Sequence, residues 1–163
     1  MNGSRRNLGI SCVLIVLIVL MVGSFASTAL ADDEAAAAVK AMVERGVIMA
    51  IVEGQEAALA AISDPEGPFI DGDLYLFAGL VSDVIMVAHP YSSLLNQDLS
   101  TYEDNQGNFL FANFVAVASD AGAGWSEYWW PKPGEEDASR KLTYIMKVAG
   151  QDLYIGCGYY PAE

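Results

Sequence analysis

Histidine and cysteine are scarce in this chain of 163 residues, which contains one His and two Cys. A zinc finger, a His-rich metal site or a disulfide framework cannot be assembled within one chain from so few ligands. Basic residues are few as well, because eight Lys and Arg stand against 21 Asp and Glu and give a net charge of -13. A nucleic-acid partner is excluded, since binding phosphates requires the opposite charge.

The common signatures of catalysis and cofactor binding are missing too. The sequence contains no Gly-x-Ser-x-Gly elbow, no glycine-rich phosphate loop and no metal-ligand spacing. We therefore expect a protein that is not an enzyme and has no cofactor or metal. A calcium site at Asp64, Glu66, Asp71 and Asp73 is the weaker alternative, because the spacing matches no EF-hand and these residues also favour turns.

A nucleophilic pair of Cys157 and His89 is the remaining enzyme alternative. Cys157 lies between Gly156 and Gly158 in an apolar segment. A small buried thiol is the expected occupant of such a position, and a buried thiol is unreactive. We therefore assign no catalytic residue.

The first 31 residues have the layout of a secretory signal peptide. Arg5 and Arg6 precede an apolar run over residues 8–22, and Ala29 and Ala31 offer the small side chains that signal peptidase accepts. We expect cleavage after Ala31 and export to the periplasm or the extracellular space, by the general or the twin-arginine route. The alternative is a membrane anchor formed by residues 8–22, which is near the lower length limit for a span.

The mature chain, residues 32–163, is predicted to form one domain, since 53% of the sequence is hydrophobic and can form a core. Apolar residues at three- and four-residue intervals predict a long amphipathic helix over 34–62, weakened at Gly46 and Gly54. The remaining patterns predict strands and two short helices, with strands at about 74–80, 84–88, 124–131, 140–149 and 153–160 and helices at 92–99 and 108–119. This order predicts an α+β fold, with the long N-terminal helix packed on an antiparallel five-stranded sheet.

Aromatic residues are concentrated in the segment 124–131, which has three Trp within six residues. Strand alternation places Tyr128 and Trp130 on one face and Trp125 on the other. A buried indole N–H or phenol hydroxyl needs a partner, so these rings can line an apolar pocket that donates to a polar ligand. The alternative is that they only pack against the long helix.

Lys141 lies on the neighbouring predicted strand, three residues before Tyr144. In so acidic a chain, a Lys among aromatic residues is either a surface charge or the counter-ion of a small anion. A carboxylate beside a partly desolvated ammonium gains several times the attraction available in water. Strict alternation places Lys141 and Tyr144 on opposite faces, and only a bulge or a strand end would bring both to one cavity.

Six segments in order resemble the single Cache domain of bacterial extracellular sensors. They are Asp64-Pro65-Glu66-Gly67-Pro68-Phe69, Asp71-Gly72-Asp73-Leu74-Tyr75, Ala88-His89-Pro90, Gly124-Trp125 with Tyr128 and Trp130-Pro131, Lys141 with Tyr144, and Ile155-Gly156-Cys157-Gly158-Tyr159-Tyr160. The resemblance covers about residues 34–160 and implies a PAS-like sheet with a pocket that takes small carboxylates in several members. By the same resemblance, the pocket is lined by His89, Trp125, Tyr128, Trp130, Lys141 and Tyr144.

Such relatives usually continue through a second membrane helix into a chemotaxis or kinase output, whereas this chain ends at Glu163. We therefore expect a standalone, exported domain that binds an organic acid of two to four carbons. Its signal would pass to a membrane receptor or to a second copy through the long N-terminal helix. The alternative is an interaction module of the cell envelope with a vestigial pocket.

Overall fold

The computed structural model describes residues 30, 32–91 and 93–162. The chain divides into two units, and the second, Ala35–Pro161, contains the helices and strands described below. The predicted signal peptide, residues 1–31, lies outside the described residues except for Leu30 and stays a prediction. Among the helices of the described part, none is both long and apolar enough to cross a membrane.

The predicted long helix is divided at Gly54. Helix α1 occupies residues 35–52 of this unit, and α2 occupies Gln55–Ser63. Gly54 has φ 99° and ψ 158°, a conformation that is nearly restricted to glycine, so the long helix is interrupted at one of the two glycines predicted to weaken it. The apolar pattern continues across the break, because Ala58 and Ile62 of α2 join the same core cluster as the buried residues of α1.

A six-stranded antiparallel sheet forms the centre of the domain. Its strands are β1 Ile70–Asp71, β2 Leu74–Gly79, β3 Met86–Ala88, β4 Ala123–Pro131, β5 Ala138–Lys147 and β6 Tyr154–Tyr159. The strand order is β1-β2-β6-β5-β4, and β3 pairs with β2. This arrangement of helices and sheet confirms the predicted α+β fold, with the two-residue β1 added to the five expected strands.

The insertion between β3 and β4 contains one helix, α3 at Leu110–Asp120, which confirms the second predicted short helix. The first, at 92–99, is wrong where the structure describes it, because the segment forms turns. Asn96 has a positive φ of 60°, and its N–H donates to the carbonyl of Met86 at 2.9 Å. A backbone donor of this segment is therefore satisfied by β3 and not within a helix.

The two faces of the sheet carry separate apolar clusters. The face toward α1 and α2, called the α1 face below, contains Val39, Val43, Val47, Leu76, Ala78 and Ile155. The face toward α3, called the α3 face, contains Phe77, Leu110, Phe114, Tyr128, Ile145 and Tyr154. Successive residues of one strand belong to opposite clusters, as the two-residue period of a strand requires.

Candidate functional site

The predicted pocket residues divide between the two faces of the sheet. Strands β4 and β5 pair so that Tyr128 is opposite Lys141 and Trp125 is opposite Tyr144. Because side chains alternate, the first pair lies on the α3 face and the second on the α1 face. The rings of Trp125 and Tyr144 are 5.2 Å apart, and Nζ of Lys40 on α1 lies 5.8 and 5.4 Å from their centroids. The sheet therefore separates these two rings from Lys141.

Lys141 is completely buried on the α3 face. Its side chain extends from β5 across β6 to β2, where Nζ donates a hydrogen bond to Oη of Tyr75 at 2.9 Å. The same nitrogen lies 4.0 Å from the centroid of the Tyr75 ring and 5.0 Å from that of Tyr160. Within the described residues no carboxylate forms an ion pair with this amine. Its surroundings are phenol rings and a phenol hydroxyl.

Two glycines of β6 make room for this path. A Cβ atom on Gly158 would lie 2.8 Å from Cε of Lys141 and would also collide with Oγ1 of Thr143. A Cβ atom on Gly156 would lie 2.6 Å from Cζ of Phe77. Glycine at these alternate positions leaves the α3 face of β6 open, so that side chains from both neighbouring strands can lie over it.

Burial changes the acidity of the Lys141 amine. Burial lowers the pKa of Lys141 from 10.5 to about 7, and the carboxylate of Asp73 acts in the other direction by a smaller amount. An amine with this pKa is partly neutral near pH 7. An anion placed beside it would favour the ammonium form and raise the pKa again.

His89 follows β3 and is 7% exposed. Its Nδ1 accepts a hydrogen bond from the N–H of Tyr91 at 3.0 Å, so in the neutral ring the proton is on Nε2. Burial, and secondarily the charge of Lys141, lower the pKa of His89 to about 3. His89 is therefore a neutral hydrogen-bond donor at physiological pH, with its ring centroid 5.0 Å from that of Tyr75.

Two adjacent cavities share part of their walls. The outer groove has a volume of about 410 Å³ and is lined by Tyr75, His89, Tyr91, Trp130 and the hairpin residues 131–135. The inner cavity has a volume of about 10 Å³ and is lined by Tyr75, Phe77, Met86, His89, Leu110, Phe111, Phe114, Tyr128 and Trp130. The three residues common to both, Tyr75, His89 and Trp130, are called the neck below.

The structure brings four of the six predicted site residues together. His89 and Trp130 belong to the neck, and Tyr128 lines the inner cavity. Lys141 is absent from both linings and reaches them only through its contact with Tyr75. The remaining two residues lie on the α1 face, away from both cavities, and they are Trp125 and Tyr144.

Three tyrosines of this region were missed at the level of sequence. Tyr75 and Phe77 alternate on β2, and an alternating aromatic pair beside a glycine-containing strand is a usable signal for an aromatic wall. Tyr91 and Tyr160 lie in loops just beyond strand ends, where no periodicity predicts the direction of a side chain. Both come to the site through tertiary structure alone.

The sheet separates the two residues of the alternative catalytic pair, Cys157 and His89. Cys157 is buried on the α1 face, and its Sγ lies 3.8 Å from Sδ of Met42, whereas His89 belongs to the α3 face. Burial raises the pKa of Cys157 to about 12, so the group is a thiol, and the prediction of a buried thiol is confirmed. Within the part of the chain that the structure describes, no three His, Cys, Asp or Glu side chains group as metal ligands.

Comparison with known protein families shows to which family the chain belongs. Residues 18–163 match the family described as Single Cache domain 2. The chain belongs to this Cache family. The chain is also 38% identical over 76 residues to the methyl-accepting chemotaxis protein McpP of Pseudomonas putida KT2440. That match covers 46% of this chain but only 14% of the receptor, so the Cache domain corresponds to a small part of its relative.

Solved structures agree with the Cache assignment. A periplasmic sensor domain of a chemotaxis protein is 28% identical with a TM-score of 0.62, over 87% of this chain and 98% of that one. A methyl-accepting chemotaxis protein from Vibrio parahaemolyticus is 22% identical with a TM-score of 0.68, over 83% and 95%. A Cache chemosensory domain studied for carboxylic acid recognition is 24% identical with a TM-score of 0.61, over 88% and 97%. These likenesses confirm the predicted Cache fold.

Substitution of Gly158 tests whether the absence of a side chain at this position of β6 allows Lys141 to lie across the strand. We expect Gly158→Ala to lower the free energy of unfolding by about 1–3 kcal/mol, because the new Cβ must displace Lys141 and Thr143. Urea unfolding measures this loss. The matched control is Gly124→Ala on β4, whose Cβ would meet only Cγ1 of Val117 at 3.1 Å. Equal losses in the two variants would contradict a special role for Gly158.

The low pKa of Lys141 predicts a specific pH dependence of stability. The folded pKa of about 7 lies below the ordinary value of 10.5, so the unfolded chain binds more protons between these pH values. The free energy of unfolding should therefore increase from pH 7 to pH 9 because of Lys141, by at most about 1.4 kcal/mol per pH unit. Lys141→Met should lack this rise.

Urea unfolding of both proteins at pH 7, 8 and 9 measures the difference. Burial raises the pKa values of Tyr75 and Tyr154, which act at higher pH, so the series ends at pH 9. Lys147→Met is the control, because it removes the same charge from an exposed position of the same strand. Parallel pH curves for the wild type and Lys141→Met would show that the buried amine does not titrate in this range.

Proposed function

We propose that this chain is an exported, non-enzymatic Cache domain that binds an organic acid of two to four carbons. The observation that carries the proposal is the buried Lys141 amine, which forms no ion pair among the described residues. An isolated buried ammonium is unfavourable, and a partner of opposite charge relieves the cost. A carboxylate bound at the neck would supply that charge.

Tyr75 connects the amine to the groove. Nζ of Lys141 donates to Oη of Tyr75, and the side chains of Tyr160 and Trp130 also interact with this hydroxyl. Tyr75 lines both cavities and Lys141 lines neither. In this proposal the carboxylate accepts a hydrogen bond from Tyr75, and Lys141 acts from behind the hydroxyl. A cation behind a donor strengthens that donor toward an anion.

His89 supplies the second donor of the proposed site. Its Nδ1 is already occupied by the N–H of Tyr91, and the proton on Nε2 is therefore available to a ligand. The low pKa keeps the ring neutral, so that it does not compete with Lys141 for the charge of the ligand. The aromatic faces of Tyr91 and Trp130 in the outer groove would cover the carbon atoms.

The comparisons support the class of function and its location. The similar proteins are chemotaxis receptors and a periplasmic sensor domain, which favours sensing outside the cytoplasm. One structure of this fold comes from work on carboxylic acid recognition, which is consistent with an acid as ligand. The leader-like residues 1–31 favour export, and the sensed signal would then pass to a membrane receptor.

Isothermal titration with acetate, propionate, lactate and pyruvate tests the proposal. We expect heat with at least one of these acids. We also expect Lys141→Met to lower the affinity several-fold, since the Tyr75 hydroxyl then donates without a cation behind it. Lys147→Met, the exposed control on the same strand, should bind as the wild type does.

Tyr75→Phe tests whether the carboxylate of the ligand is bound by the Tyr75 hydroxyl or directly by the Lys141 amine. If Tyr75 donates to the carboxylate, this variant should lose affinity although Lys141 is intact. No heat with any acid would reject the proposed function. Unchanged affinity in both Lys141→Met and Tyr75→Phe would reject the proposed site.

An envelope interaction module is the second candidate, and one observation favours it. Ile48, Ile51 and Val52 on α1 are 58%, 55% and 75% exposed, which is unusual for large apolar side chains on one turn of a helix. In this function a second copy would pair through α1. Light scattering of the purified domain across a concentration series is the test, with Ile51→Glu as the variant. A dimer that Ile51→Glu dissociates would favour this candidate, and a monomer at all concentrations would reject it.

A further inference from the structure

The two aromatic residues on the α1 face, Trp125 of β4 and Tyr144 of β5, form a small surface of their own, called the aromatic pair below. Their ring centroids are 5.2 Å apart and their planes are inclined by 56°. The ring of Tyr159 on β6 meets Trp125 edge-on at 6.0 Å. Trp125 is 37% exposed, so the aromatic pair is accessible from solvent on the face of the sheet opposite to both cavities.

The ammonium group of Lys40 lies against the aromatic pair. Its Nζ is 5.8 Å from the ring centroid of Trp125 and 5.4 Å from that of Tyr144, and both distances are within the range of cation–π attraction. Lys40 occupies an exposed position of α1, where a lysine side chain is free to extend into water. Its head group instead lies beside two ring faces, which attract a positive charge.

A carboxylate is close to Lys40 along the helix and is not its partner. Glu44 follows Lys40 by four residues on α1, which is a spacing at which helical side chains meet. The ion pair found among the described residues joins Arg140 to Glu127 and includes neither Lys40 nor Glu44. In a chain with 21 acidic and eight basic residues, this amine therefore contacts aromatic rings and not an acid. The aromatic pair already holds one cation, which is part of the chain itself.

We propose that the aromatic pair is a binding site for a small quaternary ammonium compound, with choline as the test ligand, and that Lys40 occupies the site when no ligand is bound. A lysine ammonium is compact and strongly hydrated, so it gives up much hydration on contact with a ring. Quaternary ammonium groups are the ligands that aromatic faces recognise best. Such a ligand should therefore displace Lys40, and the net charge of -13 favours its approach.

This site is independent of the proposed acid site. The sheet lies between the aromatic pair and Lys141, because Trp125 and Tyr144 are on the α1 face and Lys141 is on the α3 face. The two ligands also have opposite charge. Failure of either proposal therefore leaves the other unaffected.

The alternative role of Lys40 is to cover the rings with its carbon chain. Lysine side chains often pack their methylene groups on apolar surface while the ammonium stays in water. In that case, removal of Lys40 would uncover two rings that bind any apolar group of suitable size. Preference for a cation over an uncharged molecule of the same shape distinguishes the two roles, because only a cation is attracted by the charge distribution of the rings.

The test follows the indole N–H signals of the three Trp residues by heteronuclear NMR at constant ionic strength. Lys40→Ala is titrated with choline and with its uncharged isostere 3,3-dimethylbutan-1-ol. We expect choline to shift the signal of Trp125, which is identified by its loss in Trp125→Leu, and the isostere to leave it in place. In the wild type, half-saturation should need at least about fivefold more choline, because Lys40 competes for the same rings.

Lys147→Ala is the matched control, because it removes the same charge from an exposed position of β5 on the α3 face. It should bind choline as the wild type does. Lys40→Gln should act as Lys40→Ala does and keeps the test valid if one of the two variants does not fold, which thermal unfolding shows. Equal shifts with choline and its isostere, no shift of Trp125 in the folded Lys40 variants, or the same gain in Lys147→Ala would overturn this inference.

Discussion

The hydrogen bond between Lys141 and Tyr75 is the contact on which the α3 face depends. It joins β5 to β2 across the strand between them, and it is possible only because Gly158 has no side chain at the crossing point. The contact keeps the amine buried among phenol rings, where burial lowers its pKa to about 7. A core built only for stability would place an apolar side chain here. This cost is the reason for proposing that the amine takes part in ligand binding.

The two faces of the sheet differ in the residues that fill them. The α1 face is filled by aliphatic residues of the helices and of the strands, such as Val43, Leu76 and Ile155. The α3 face contains the cavities, the buried amine and the neutral His89. Because alternate residues of each strand serve opposite faces, unfavourable groups on one face are supported by a close-packed core on the other. A destabilised site can persist in such a domain without loss of the fold.

Most of the fold could be predicted from the sequence, because each long element has its own periodicity. Helix α3 and the strands β4, β5 and β6 lie within a few residues of their predicted positions. The segment after β3 was misjudged, since Asn96 takes a positive φ and bonds to Met86 instead of to its own segment. Periodicity describes local preference, and such contacts between distant residues have no local signal.

The site was only half predictable for the same reason. Alternation separated Tyr128 from Trp125 correctly, and it also indicated that Lys141 and Tyr144 could not share a face. The resemblance nevertheless grouped all of these residues in one pocket. What alternation cannot reveal is which side chain crosses a strand. Gly158 is the exception, because a glycine within an apolar strand signals that another group passes closely over it.

The proposed anionic ligand would meet a strongly acidic chain, and burial separates the acidic surface from the proposed site. Surface charges are screened over about 8–10 Å at physiological ionic strength, so the net charge of -13 acts mainly on the approach of a ligand. Lys141 is buried inside the domain, where solvent screening is weak and electrostatic interactions with nearby groups are stronger than at the surface. If an acid binds at the neck as proposed, added salt should speed its association by screening the acidic surface, while the strength of the contacts at the neck stays nearly constant.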